Sequence, residues 1–214
     1  MITKKNNYIL GIDEAGRGSV IGPLIIVGVL ITEEQSKIME KYIKRDSKRY
    51  TPNRREELYY FVEKHAKVIK VEKILPTEID RLRNRNISLN EIEAKHMSNI
   101  INTILNEGYS IDKTIIDSCD TDPNRFKNRV KRYLQERINI VTEHKADEKY
   151  TVVSAASIIA KVIRDREIKS LEKKYGEIGS GYPSDPITRN FIEKNLDKTI
   201  DIIRYTWKTL RKLG

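Results

Sequence analysis

Tyr8-Ile9-Leu10-Gly11-Ile12-Asp13-Glu14-Ala15-Gly16-Arg17-Gly18 is the stretch on which the fold turns. Tyr8 to Ile12 is predicted to be a short strand, and the glycines that follow mark a bend. Just beyond lies Pro23 to Ile31, a continuous apolar run (PLIIVGVLI). It is short and rich in β-branched residues, so a buried strand is expected rather than a helix. Further out, Thr51-Pro52 is a cap followed by proline, starting a helix to about His65. Val68 to Ile74 is expected as a third strand. Pro76 opens a short helix, and Leu89 to Glu107 is predicted as a longer one, with Ile92, Met97, Ile100, Ile101, Ile104 and Leu105 apolar and Gly108 at the C-cap. The chain then alternates. Thr114 to Asp117 is a strand, Asp122-Pro123 caps a helix through about Glu136, Ile138 to Thr142 is a strand, and Val152 to Tyr175 is a long helix stopped by Gly176. Beyond Gly181-Tyr182-Pro183 two short basic helices are expected. Early hairpin-like strands followed by β-α-β-α imply an α/β fold, a mixed sheet flanked by helices.

The 214 residues suffice for one ordinary domain and a small appendage. Lys plus Arg total 41 against 31 Asp plus Glu, giving a net charge of +10. Such an excess selects a polyanionic partner. No apolar run approaches the roughly 20 residues that span a bilayer, and the first residues lack the apolar stretch of a signal peptide. Basic residues are spread along the chain, which favours nucleic acid over a membrane surface. The single Cys119 excludes an internal disulfide and fits a reducing, cytoplasmic setting.

Four acids stand out by position. Asp13 and Glu14 end the first strand, Asp117 ends the apolar Thr114-Ile115-Ile116, and Asp147 precedes the long helix. Acids at strand ends can gather at one edge of a sheet. Phosphodiester hydrolysis benefits from two divalent ions about 3.5–4 Å apart, and hard Mg²⁺ needs only a few carboxylates beside its waters. His65, His96, His144 and Cys119 lack the ligand-type spacing of a zinc site. Adjacent strand residues point to opposite faces, so Asp13 and Glu14 are expected to share a site only if the strand ends or bends between them. Ala15-Gly16-Arg17-Gly18 supplies the expected break.

Each feature also has a plainer reading. Asp122 is a helix cap. Asp147-Glu148 reads equally as a solvated turn, Asp117 as an ordinary strand-end acid, and Asp13-Glu14 as turn chemistry. Gly16-Arg17-Gly18 lets backbone approach a ligand and offers an arginine to a phosphate, yet Gly-x-Gly alone is usually a turn. Lys48, after Asp46-Ser47, is either a phosphate contact or part of a solvated loop. Tyr182 is either a stacking surface or a packed loop residue. Val152 to Val162 reads as a helix packed closely on the sheet.

Taken in order, Gly11-Ile12-Asp13-Glu14-Ala15-Gly16-Arg17-Gly18 with Gly22-Pro23, Asp46-Ser47-Lys48, Asp117, Ala146-Asp147 leading into Ser154-Ala155-Ala156-Ser157, and Gly181-Tyr182-Pro183-Ser184-Asp185-Pro186 resemble the ribonuclease HII family. The match runs from about residue 8 to 190, and its Tyr182 loop is similar to the archaeal and eukaryotic form. The related ribonuclease HIII family usually has an additional N-terminal domain and lacks the Gly-Arg-Gly triplet.

The resemblance implies a ribonuclease H-like fold with a mixed five-stranded sheet over residues 1–190, and a helical basic segment over 191–214. It implies that Asp13, Glu14, Asp117 and Asp147 are catalytic and hold Mg²⁺ or Mn²⁺. It implies that Gly16, Arg17, Gly18 and Tyr182 read an RNA–DNA junction through the 2′-OH, with Lys48 contacting phosphate. The implied substrates are RNA/DNA hybrids and DNA duplexes containing ribonucleotides. The implied cut is 5′ of the ribonucleotide and leaves 3′-hydroxyl and 5′-phosphate ends, in the service of DNA replication and repair. A monomer is expected. A basic nucleic-acid-binding module with structural acids, and a DNA-directed nuclease of the same broad fold, are the competing readings.

Overall fold

A computed structural model of the chain describes residues 7–43, 50–195, 200–208 and 210. Strands β1 (Tyr8–Ala15) and β2 (Leu24–Thr32) lead into helices α1 (Glu33–Tyr42) and α2 (Pro52–His65). Strand β3 (Val68–Ile74) is followed by α3 (Pro76–Arg83) and α4 (Leu89–Asn106). Then come β4 (Ile111–Asp117), α5 (Pro123–Lys131), β5 (Ile140–Glu143), the single turn α6 (Ala146–Lys149), α7 (Thr151–Tyr175) and α8 (Pro186–Asn195). The five strands form one sheet in the order β3-β2-β1-β4-β5. Pairs β1–β2 and β2–β3 are antiparallel, whereas β1–β4 and β4–β5 are parallel. The sheet is therefore mixed, as the fold class expected from the sequence requires.

Strand alternation sorts β1 between two cores. Leu10 and Ile12 join a cluster with Ile92, Met97, Ile100, Ile101 and Ile104 of α4. Ile9 and Ala15 join the opposite cluster, with Val152, Val153, Ala155, Ala156 and Ile159 of α7. The run PLIIVGVLI is buried throughout because both faces of β2 are covered in this way. Close approach of α7 depends on Gly11: a Cβ there would lie 2.5 Å from both the carbonyl carbon and oxygen of Val152. A third cluster joins Val20 and Ile21 to Ile168, Phe191, Ile192, Ile202 and Ile203. An isolated antiparallel bridge between Ile21 and Ile203 ties residues 200–208 to the loop after β1.

Several boundaries differ from the sequence reading. Strand β1 continues through Asp13 and Glu14 to Ala15, paired with β2 all the way. The expected break between the two acids is therefore absent, because antiparallel pairing to the buried β2 holds the strand extended. Helix α5 stops at Lys131 instead of near Glu136. Asn102 of α4 takes over the chain there, donating to Tyr133 O at 2.9 Å and accepting from Gln135 N at 3.1 Å. Residues 200–208, expected to be helical, form turns and the bridge to Ile21 instead. Helix α1 was not expected. No described helix is long and apolar enough to cross a membrane.

Candidate active site

The parallel register of β1 and β4, with Ile12 opposite Ile116, brings Asp13 and Asp117 to the same edge of the sheet. Strand β5 pairs Glu143 with Asp117 and then turns into α6. Lys145 enters α6 in the left-handed conformation, with φ +56°. That turn lets Ala146 N donate to Asp117 Oδ1 at 2.9 Å, and Asp147 follows, buried. Three neighbouring strand ends thus deliver three of the candidate acids, and β1 supplies Glu14 as well.

Asp13 faces α7 and is only 3% exposed. Glu14 projects from the opposite face of the strand, yet its backbone N–H donates to Asp13 Oδ1 at 2.8 Å. The two acids still meet because the pairing of β1 with β4 ends at Ile12, which leaves the tip of β1 open on that side. Burial raises the Asp13 pKa well above its ordinary value. The neighbouring Glu14 and Asp117 charges raise it further, and a hydrogen bond with Ser157 lowers it in part. Buried, mutually repelling acids are relieved by a cation. As placed, no three of the described His, Cys, Asp and Glu side chains close around one point as a complete ion cage. An all-oxygen, open set of acids fits ions of the Mg²⁺ and Mn²⁺ type, which keep waters and bind through a few carboxylates and substrate phosphate.

Beside the acids lies a cleft of about 390 Å³, walled by Glu14, Gly16, Arg17, Gly18, Arg164 and Tyr182 among others. The Gly-Arg-Gly triplet and the distant Tyr182 therefore share one cavity with an acid of the cluster. Gly16 has φ +86°, and a Cβ on it would lie 2.7 Å from Pro23 O, so only glycine fits the turn. The Tyr182 loop is stitched to this turn: Val20 N and Ile21 N both donate to Gly181 O, at 2.8 and 3.1 Å. The Arg164 guanidinium lies 4.7 Å from the Tyr182 ring centroid and donates to Ser180 O. Burial pushes the Arg164 pKa down. Lys48 lies outside the described residues.

Three residues of this neighbourhood had no motif to announce them. Glu93 of α4 is fully buried and receives Arg17 Nε, 2.9 Å from Oε1, and Cys119 Sγ, 2.8 Å from Oε2. Asn90 Oδ1 accepts from Arg17 Nη2 at 2.5 Å. Burial raises the Glu93 pKa to about 7, outweighing the arginine that pulls it down. Arg204, from the C-terminal segment, is also fully buried. Its Nη2 and Nε donate to Gly22 O at 2.8 and 3.0 Å, and its Nη1 donates to Arg17 O at 3.1 Å. Burial and the nearby Arg164 charge push its pKa down to about 9. The loop bearing Arg17 is therefore gripped by α4 through its side chain and by Arg204 through its backbone.

The family model for ribonuclease HII matches residues 10–210, nearly the whole chain. The chain belongs to the ribonuclease HII family. Ribonuclease HII of Methanothermobacter thermautotrophicus is 46% identical over 208 residues, covering 95% of this chain and 98% of that protein. Among solved structures, the ribonuclease H2 of Pyrococcus horikoshii superposes with a TM-score of 0.86 at 43% identity, covering 96% of both chains. The ribonuclease HII of Archaeoglobus fulgidus, solved in complex with PCNA, gives 0.85 at 38% identity, again over 96% of both chains. A ribonuclease H-like fold and ribonuclease H activity follow, as expected from the sequence motifs. Family membership implies divalent-metal-dependent cleavage of the RNA strand of RNA/DNA hybrids.

Proposed function

We propose that this ribonuclease also incises duplex DNA on the 5′ side of an embedded ribonucleotide, leaving 3′-hydroxyl and 5′-phosphate ends, with Mg²⁺ or Mn²⁺ held by Asp13, Glu14, Asp117 and Asp147. The observation that carries this reading is the shared cleft, in which Glu14, the Gly16–Gly18 turn and Tyr182 face the same space. Divalent ions, when bound, supply Lewis-acid stabilisation of charge on the scissile phosphate.

The chain's own residues do the recognition. Gly16 and Gly18 lack side chains, so their backbone can lie against a ribose and hydrogen-bond its 2′-OH. A guanidinium has five N–H groups. Arg17 commits Nε to Glu93 and one Nη2 proton to Asn90, which fixes its plane and leaves donors for a phosphate. Tyr182, steadied by the Arg164 guanidinium, presents an aromatic face to the adjoining sugar. Lys48 is assigned a further phosphate contact. The protein is proposed to act as a monomer in the cytoplasm, removing ribonucleotides from DNA.

Product mapping on two duplexes tests this reading: all-DNA, and the same sequence with one ribonucleotide. A site that hydrogen-bonds a hydroxyl rejects a substrate lacking it by several orders of magnitude. Wild type is expected to cut only the second duplex, 5′ of the ribonucleotide. Tyr182→Ala should slow that cut strongly with little loss of duplex affinity. Equal cutting of both duplexes overturns ribonucleotide recognition; an unaffected Tyr182 variant overturns only the tyrosine's role.

A further inference from the structure

Arg17 and Gly18 wall two cavities. One is the cleft with Glu14 and Tyr182; the other, about 500 Å³, lies on the far side of the loop against the start of α4. Among the described residues its lining includes Arg83, Ser88, Asn90, Arg129, Trp207 and Lys208, and no Asp or Glu. Two of its cations are compensated: Arg17 by Glu93 at 2.9 Å, and Arg129 by Glu91 at 2.7 Å. Arg83 and Lys208 form no ion pair among the described residues. Arg83 is held in place by Trp207, whose ring centroid lies 5.3 Å from its guanidinium carbon, and its buried Nε has no hydrogen-bond partner among the described residues. Arg204 lies 4.9 Å from the same ring, so the indole is already occupied by cations and serves to aim Arg83.

We propose that this second cavity seats a backbone phosphate of the duplex, on the same path as the group read by the Gly16–Gly18 loop. The inference rests on the nuclease reading above and deepens it, naming where the strand goes once it leaves the cleft. A concave lining with cations that no described acid compensates, beside hydroxyl and amide side chains, suits a phosphodiester oxygen. A cationic ligand is repelled here. The seat lies away from the candidate acids, so it should set affinity and leave the chemical step alone. Sequence reading could not assemble it, because Arg83, Arg129 and Lys208 come from α3, α5 and the C-terminal segment.

The test is a fluorescence-anisotropy titration, in EDTA to prevent cleavage, of a labelled DNA duplex containing one ribonucleotide. Wild type is compared across a several-fold salt range with Arg83→Gln/Lys208→Gln, with Lys208→Gln alone at an exposed position, and with Arg166→Gln, whose partner is Glu56, as a control. The double variant is expected to bind roughly tenfold more weakly, with the slope of log affinity against log salt smaller by about 0.9, one phosphate contact. Lys208→Gln should show part of that loss, and the control should match wild type. Single-turnover cleavage at saturating enzyme should stay within about twofold of wild type, as a phosphate-positioning contact predicts. Wild-type affinity and slope in a folded double variant overturn the phosphate seat. Should the wild type bind duplexes but cut none beside a ribonucleotide, the functional reading falls, and the same titration still decides the seat. Failure of the wild type to bind any duplex overturns both.

Discussion

At the scale of single residues, the candidate site is assembled by strand pairing and by contacts between residues far apart in the chain. Asp13, Glu14, Asp117 and Asp147 were picked out as acids at strand and helix boundaries, and parallel pairing carries Asp13 and Asp117 to one edge. The strand neither ends nor breaks between Asp13 and Glu14, contrary to the expected bend. Their meeting depends on where β4 stops pairing, which a local pattern does not encode. Glu93 and Arg204 were invisible for the same reason, since their contacts with the Arg17 loop span 76 and 187 residues. Asp117→Asn keeps an oxygen able to accept from Ala146 N, so folding should survive while cleavage falls by orders of magnitude. A near-normal rate at saturating Mg²⁺ would remove Asp117 from the site. Glu93→Gln addresses the buried acid. The folded protein holds the Glu93 proton up to about pH 7, against an ordinary value of 4.5. Between those values the folded state binds more protons than the unfolded state, so this group's contribution to stability declines as pH rises. The amide cannot titrate. Relative to wild type, Glu93→Gln should therefore gain about 3 kcal/mol between pH 4.5 and pH 7 and beyond. Urea midpoints that differ by a constant amount across that range would contradict this.

At the scale of elements, the strands and long helices followed from composition and caps. Thr51-Pro52, Asp122-Pro123 and the Gly108 and Gly176 stops stand where the sequence put them. Helix α1 has its own start signal. Thr32-Glu33-Glu34-Gln35 is a capping box, in which Thr32 Oγ1 accepts from Gln35 N at 3.2 Å and Gln35 Oε1 accepts from Thr32 N at 2.8 Å. The end of α5 was out of reach, because Asn102 of another helix ends it. The small-residue start of α7 packs closely on the sheet, as its composition predicts, and Gly11 is its counterpart on β1. Gly11→Ala is expected to cost about 2–3 kcal/mol, since backbone and not a movable side chain blocks the new methyl group. Chemical denaturation reads this directly. A cost of a few tenths would mean that α7 can lift from the sheet with ease.

At the scale of the whole molecule, the C-terminal segment is tied into the candidate active site. Its sequence suggested only basic helices. In the fold, Ile202 and Ile203 pack with Val20, Ile21 and Ile168, and Arg204 reaches back to the Arg17 carbonyl within the Gly-Arg-Gly turn and to the Gly22 carbonyl beyond it. A fully buried guanidinium with no carboxylate partner among the described residues is expensive to maintain. Its retention makes sense if the loop must be held in one shape before substrate arrives. Arg204→Met tests this, because methionine fills much of the space and supplies no donor. The buried Gly22 O loses its arginine donors at about 1–3 kcal/mol, and the half-buried Arg17 O loses its donor at a smaller cost; relief from burying a charge offsets part of that. Net destabilisation should therefore be modest, while the loop's grip on the ribonucleotide suffers more. Assayed at a temperature where both proteins are folded, Arg204→Met should raise KM for the single-ribonucleotide duplex at least severalfold. The acids it never touches should keep their metal dependence unchanged. Arg204→Lys, retaining a charge and a donor, should recover part of the loss. A variant with wild-type KM would show that the loop holds its shape without Arg204. A variant altered only in metal dependence would mean that Arg204 acts on the acids and not on the loop.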